Sequence, residues 1–138
     1  MTERQIYMTE NDRRRLDELL MVAGTFNYRD RNDLKALVSE LQRAKVVDSR
    51  EVSAHIVTMN SRVRLRDIDT DKEMEITLAF PSEADVDAGK ISVLSPVGTA
   101  ILGYGEGDTV VWTVPAGTRR LRIEKILYQP EASGDFHL

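Results

Sequence analysis

The chain has 138 residues, 41% of them hydrophobic, with 23 acidic against 19 basic side chains and a net charge of −4; this suits one globular domain, or one domain with a small appendage. It contains no cysteine, and its two histidines, His55 and His137, lie far apart, which excludes disulfides, zinc ribbons, cysteine nucleophiles and histidine-based metal sites. Residues 1–50 carry 10 Lys+Arg against 9 Asp+Glu and residues 51–138 carry 9 against 14, so no basic face is evident and direct DNA or RNA binding is disfavoured.

No stretch of about 18 apolar residues and no charged-then-apolar leader occurs, so neither membrane contact nor secretion is expected and the cytoplasm is the predicted location. No cofactor or metal is expected.

Thr9-Glu10-Asn11-Asp12 reads as a helix start, with Thr9 as N-cap and Asp12 three residues on. Leu16, Leu19, Leu20 and Ala23 then share one helical face, and Gly24 is the predicted stop. A second start at Asp30-Arg31-Asn32-Asp33 leads into a stripe of Leu34, Leu37, Val38 and Leu41, with Ala44 and Lys45 at its end. Two short amphipathic helices joined by residues 25–29 predict an antiparallel helical hairpin over residues 1–50.

Residues 48–55 lack periodicity and read as a linker into a second region, residues 51–138. There Val63 and Leu65 alternate with Arg62, Arg64 and Arg66, and Met74, Ile76, Leu78 and Phe80 alternate with Glu73, Glu75, Thr77 and Ala79. Period two means strands with one buried face, and Asp69-Thr70-Asp71-Lys72 between them is a turn, so a hairpin is predicted. Pro81 ends it, and residues 82–89 form an acidic loop.

A short strand at 91–94 then meets Ser95-Pro96, a helix start, with Gly103 as its stop. Thr109 to Val114 is a β-branched strand, 115–117 a turn, and Arg119 to Tyr128 a last strand. In that strand Leu121 and Ile123 share one phase and Ile126 and Tyr128 the other, which predicts a bulge near Glu124-Lys125. The sum is an α+β fold: a helical hairpin followed by a twisted, mostly antiparallel sheet of four or five strands with one short helix.

The run from Lys90 to Gly103, with Ser95-Pro96-Val97-Gly98 and Leu102-Gly103, followed by Gly107-Asp108-Thr109-Val110, resembles the C-terminal domain of bacterial Gre transcript-cleavage factors. With Val57 to Val63 and the ending from Glu124, including Tyr128 to Ala132, the chain looks closer still to the Rnk family, regulators of nucleoside diphosphate kinase, which join a shortened hairpin to that domain. The resemblance implies an FKBP-like sheet and a bacterial protein that docks at the rim of the RNA polymerase secondary channel and competes with other channel factors, with no catalysis of its own. Carried over by position, the docking surface is Ser95, Pro96 and Asp69, with Leu94 and Val97 as apolar neighbours. Ordinary helix initiation also accounts for Ser95 and Pro96, and turn chemistry for Asp69. A monomer is expected, because each helix satisfies its stripe within one hairpin.

In Gre factors an acidic pair at the coiled-coil tip helps hold magnesium for transcript hydrolysis, and Asp30 and Asp33 lie beside the predicted tip here. They form a candidate acidic tip; capping of the second helix accounts for them better, with no catalytic role needed. Helices of about 20–27 Å stop short of the roughly 45 Å that a Gre-like coiled coil would span. The alternatives to a docking regulator are a cleavage factor using that tip and an FKBP-like peptide binder. An isomerase pocket would need an aromatic ring around a tryptophan floor, for which only Phe80, Tyr104, Trp112 and Tyr128 are at hand.

Overall fold

A threonine that ends a short strand and starts a helix sets the first part of the structure. In the computed structural model, which describes residues 6–25, 32–114 and 117–135, and their side chains except at 22–25, 32–36 and 112–114, strand β1 (Tyr7–Thr9) runs straight into helix α1 (Glu10–Thr25). Thr9 Oγ1 accepts the Asp12 N–H at 3.0 Å, the predicted cap. Gly24 does not stop α1, which includes it and ends one residue later.

Helix α2 (Asn32–Arg43) follows. Arg13, near the start of α1, donates to the carbonyl of Leu41, near the end of α2, at 2.7 Å, so the two helices are antiparallel. Leu16, Leu37 and Leu41 are fully buried, whereas Val38, placed by its spacing in the stripe, is 37% exposed and lies at its margin. Lys45 is not helical: strand β2 (Lys45–Val47) pairs in parallel with β1.

The second part is a five-stranded sheet in the order β5-β4-β3-β7-β6, built from β3 (Arg62–Asp67), β4 (Lys72–Ala79), β5 (Lys90–Ser92), β6 (Thr109–Val114) and β7 (Gly117–Tyr128). Helix α3 (Pro96–Ile101) lies between β5 and β6 in sequence. The expected antiparallel sheet is corrected in one place: β5 is parallel to β4, with Thr77 opposite Lys90 and Ala79 opposite Ser92. The acidic loop makes this possible by folding back through two 3-10 turns, with Asp85 and Lys90 exchanging backbone hydrogen bonds and Gly89 at φ 75°.

The predicted bulge is present. Leu65 faces Ile123 but Arg64 faces Lys125, so Glu124 is the extra residue, and a second shift separates Ile126 from Tyr128.

Val63, Leu65, Ile76, Leu78, Leu121 and Ile123 form the inner face of the sheet, in one core cluster with Ile101 of α3, Val57, Met59 and the hairpin's Leu16, Leu37 and Leu41. Each such side chain contributes about 1.5–3 kcal/mol on burial. Two glycines allow this packing. A Cβ on Gly98 would sit 2.3 Å from the Ser92 carbonyl oxygen, and one on Gly103, at φ 84°, would sit 2.8 Å from Ile6 Cβ. Gly103 also accepts the Tyr7 N–H and donates to Val57, which fastens β1 to the sheet region. The α+β expectation, with a helical N-terminal part and a sheet-rich remainder, matches this architecture. No described helix is long and apolar enough to cross a membrane.

Candidate docking surfaces

The Ser-Pro corner is held by its own hydroxyls. Ser95 Oγ donates to the Ser92 carbonyl at 2.7 Å and accepts the Gly98 N–H at 3.1 Å, Ser92 Oγ accepts the Leu94 N–H, and Thr99 Oγ1 donates to the Val93 carbonyl. These bonds engage the Ser95 oxygen both as donor and as acceptor within the turn, so Ser95 shapes the corner. Pro96 is exposed at N1, and Leu94 and Val97 are half-buried with their inner sides against the core. The corner therefore presents a rigid apolar knob to solvent.

Asp69 lies elsewhere. The β3–β4 turn is built on Asp67, whose carboxylate is buried, pairs with Arg119 and accepts the N–H groups of Asp69 and Thr70 at 2.9 and 3.1 Å. Arg119 holds the Asp67 carboxyl below its ordinary range. The Asp69 carboxylate accepts a hydrogen bond from Arg120 at 2.8 Å, and that contact lowers its pKa too. Because β5 runs parallel to β4 beside its far end, the corner and this turn lie at opposite ends of β4, about 23 Å apart along the strand. Leu94, Ser95, Pro96 and Val97 are adjacent; Asp69 is not part of their patch.

The corner end is also where the hairpin is attached. Asp12, read from sequence as a capping acid, is fully buried: its carboxylate accepts the Met59 N–H at 2.9 Å and a bond from Arg15 at 2.6 Å. Burial pushes its pKa up to about 6, against the hydrogen bonds that lower it. Thr58 and Ser61 bond each other, and Thr58 donates to Glu131 in the C-terminal segment. The Arg15 guanidinium stacks 4.9 Å from the centre of the Phe80 ring. Beside it a groove of about 420 Å³ is lined by Arg15, Leu19, Phe80, Pro81, Ser82 and Glu83.

The outer face of the sheet carries charge that composition conceals. Register places Arg62, Arg64 and Arg66 of β3 between Glu73 and Glu75 of β4 on one side and Arg122 and Lys125 of β7 on the other. Arg62 and Arg64 share Glu75, and Arg66 binds Glu73, Asp71 and Glu124. The sequence signal was the Arg62-Arg64-Arg66 alternation; the flanking basic residues become neighbours only through the strand order.

Asp30 lies outside the described residues, as does the side chain of Asp33. The aromatics weighed for an isomerase pocket have separate partners: Phe80 stacks with Arg15, Tyr104 bonds Arg43, and Tyr128 donates to Asp135; the side chain of Trp112 is outside the described residues. His55, in the linker, pairs with Glu106, whose other oxygen accepts the Ile126 N–H beside the bulge. Burial alone would raise the Glu106 carboxyl, and these hydrogen bonds outweigh it and leave the pKa lowered.

Comparison with known proteins gives two adjoining matches. Residues 4–47 match the family described as Rnk N-terminus, and residues 52–128 match the one described as Transcription elongation factor, GreA/GreB, C-term. The chain is 36% identical over 140 aligned positions to the Regulator of nucleoside diphosphate kinase of Escherichia coli, with 100% of both chains covered. It is 43% identical over 100 residues to Transcription elongation factor GreA of Desulfotalea psychrophila, which covers 72% of this chain and 59% of that one. Among solved structures, the prokaryotic transcription elongation factor GreA/GreB from Nitrosomonas europaea superposes with a TM-score of 0.74 at 38% identity, covering 90% of this chain and 100% of that one.

Proposed function

Because the chain belongs to the Rnk family and carries the GreA/GreB C-terminal module of transcription elongation factors, we propose that it regulates elongation by binding RNA polymerase at the rim of the secondary channel, without catalysis of its own. In this reading residues 1–50 are a short coiled-coil hairpin and residues 51–138 an FKBP-like docking module, working as a monomer in the cytoplasm. Leu94, Ser95, Pro96 and Val97 make the principal contact, and Asp69 belongs to a second contact at the far end of β4.

The observation that carries the reading is the length of the hairpin. Helices of 16 and 12 residues measure about 24 and 18 Å at the helical rise. A tip at that reach occupies the channel mouth, where it obstructs longer factors, and leaves any acids at the tip far from a reacting phosphodiester. The docking module supplies the affinity for this arrangement. Its corner is held in shape by hydrogen bonds before any partner arrives, so little ordering entropy is lost on contact.

The test is transcript cleavage in a backtracked RNA polymerase complex, with this protein alone and against an authentic Gre factor. No stimulated cleavage, with concentration-dependent inhibition of the Gre factor, is the expected result. Cleavage stimulated by this protein alone would instead assign Asp30 and Asp33 a catalytic part.

A further inference from the structure

Charge on the outer face of the sheet is distributed unevenly, and the imbalance has a direction. On the β4 side the β3 arginines are neutralised by Glu73 and Glu75. On the other side, β7 presents Arg120, Arg122 and Lys125, all exposed. Arg122 has only a loose contact with Glu124 at 3.8 Å, and no hydrogen bond or salt bridge reaches the Lys125 amine among the described residues. The next strand is the sheet edge, β6, which carries no charge from Thr109 to Val114 and leaves Val111 58% exposed opposite Arg120. A basic row bordered by an exposed apolar residue thus lies on a chain whose residues 51–138 carry 14 acidic against 9 basic side chains.

We propose that this strip along β7 and β6 is a second docking surface, in which Arg122 and Lys125, beside the Asp69-paired Arg120, receive carboxylates of an acidic protein surface and Val111 supplies the apolar contact. The proposal rests on the polymerase reading and names the chemistry of the partner surface. Three observations favour it. The strip is continuous with the β3–β4 turn through the Arg120–Asp69 ion pair, so Asp69 acts as a positioning residue that holds the Arg120 fork in place. The β3 arginines are already spent on internal carboxylates, which leaves a band one strand wide. A band of that width suits a few carboxylates on a folded surface. It is too short to track a phosphate backbone, which carries one charge per ~1.7 Å of duplex and would also meet the repulsion of the remaining chain.

The experiment measures binding of the full-length protein to core RNA polymerase across a salt series, for wild type, Arg122→Glu/Lys125→Glu and the neutral pair Arg122→Gln/Lys125→Gln. Both substituted positions are exposed, and circular dichroism with thermal melts checks that the fold is intact. The charge reversal is expected to weaken binding about tenfold or more, chiefly through slower association, and the neutral pair by a smaller factor with a shallower salt dependence. Wild-type binding with both variants equal to it would overturn the strip and leave the polymerase reading standing. Absence of wild-type binding would overturn both. Tight binding to a single-stranded or duplex oligonucleotide that the reversal abolishes, with polymerase affinity unchanged, would overturn the assignment to a protein surface.

Discussion

The two ends of β4 use the same turn chemistry for different purposes. At the corner end the polar groups turn inward: Ser92, Ser95 and Thr99 bond backbone, Asp12 bonds Met59 and Arg15, and Pro96 is left facing solvent. At the other end Asp67 is buried under Arg119 and Asp69 pairs with Arg120, so charge remains at the surface. The first end is rigid, apolar and fixed to the helical hairpin; the second is polar and remote from the hairpin. On the proposed reading, the first end would supply a shape-specific contact and the second a charge-steered one, and only the first is joined to the hairpin.

The comparison breaks most completely at Gly98. Its Cβ position is occupied by the backbone of Ser92 and Val93, so Gly98→Ala must displace α3 from β5, and a loss of about 3 kcal/mol or more in denaturant unfolding is expected. A corner that tolerated alanine with unchanged stability would mean that α3 and β5 are not held together as described.

Asp12 sharpens the same end through pH. Its folded-state pKa, about 6, lies above the value of 3.8 for the free group, so the folded protein binds more protons and its stability rises as pH falls through that window. Between pH 7 and pH 5 the wild type should gain about 1 kcal/mol relative to Asp12→Asn, which keeps an acceptor for the Met59 N–H but cannot titrate. The carboxyls with lowered pKa, Asp67, Asp69, Glu75 and Glu106, act in the opposite sense and at lower pH. Equal pH profiles for the two proteins would remove the buried carboxylate from the hairpin attachment.

Ser95→Ala removes the cap of α3 and its bond to Ser92, with an expected cost of about 1 kcal/mol in chemical denaturation. On the proposed contact, polymerase binding should weaken by more than that loss of stability accounts for; an unchanged affinity would confine Ser95 to shaping the corner.

The elements of this comparison were unequally legible in the sequence. The Thr9 and Ser95 caps, the β3–β4 hairpin and the bulge at Glu124 could be read because each has a local signature: a hydroxyl before a helix, a period of two, a change of phase. Strands β1 and β2 could not, since three residues are too few to show a period. The separation of Asp69 from Ser95 depends on β5 running parallel to β4, a tertiary fact without local signal. Asp12 looked like any first-turn acid, because nothing near it in sequence shows that Met59 will cover it. The basic strip on β7 stands apart only because the β3 arginines, about 60 positions earlier, are neutralised by Glu73 and Glu75 of β4, so net charge averaged it away.

The most direct test of docking through the corner is displacement of a Gre factor from core RNA polymerase by wild type and by Pro96→Glu. Pro96 is exposed at N1, where a glutamate favours the helix dipole and leaves stability nearly unchanged. Wild-type displacement with about a tenfold or greater loss for Pro96→Glu, at equal melting temperature, is the predicted result. Equal displacement by the two proteins would contradict the assignment of the corner as the principal contact.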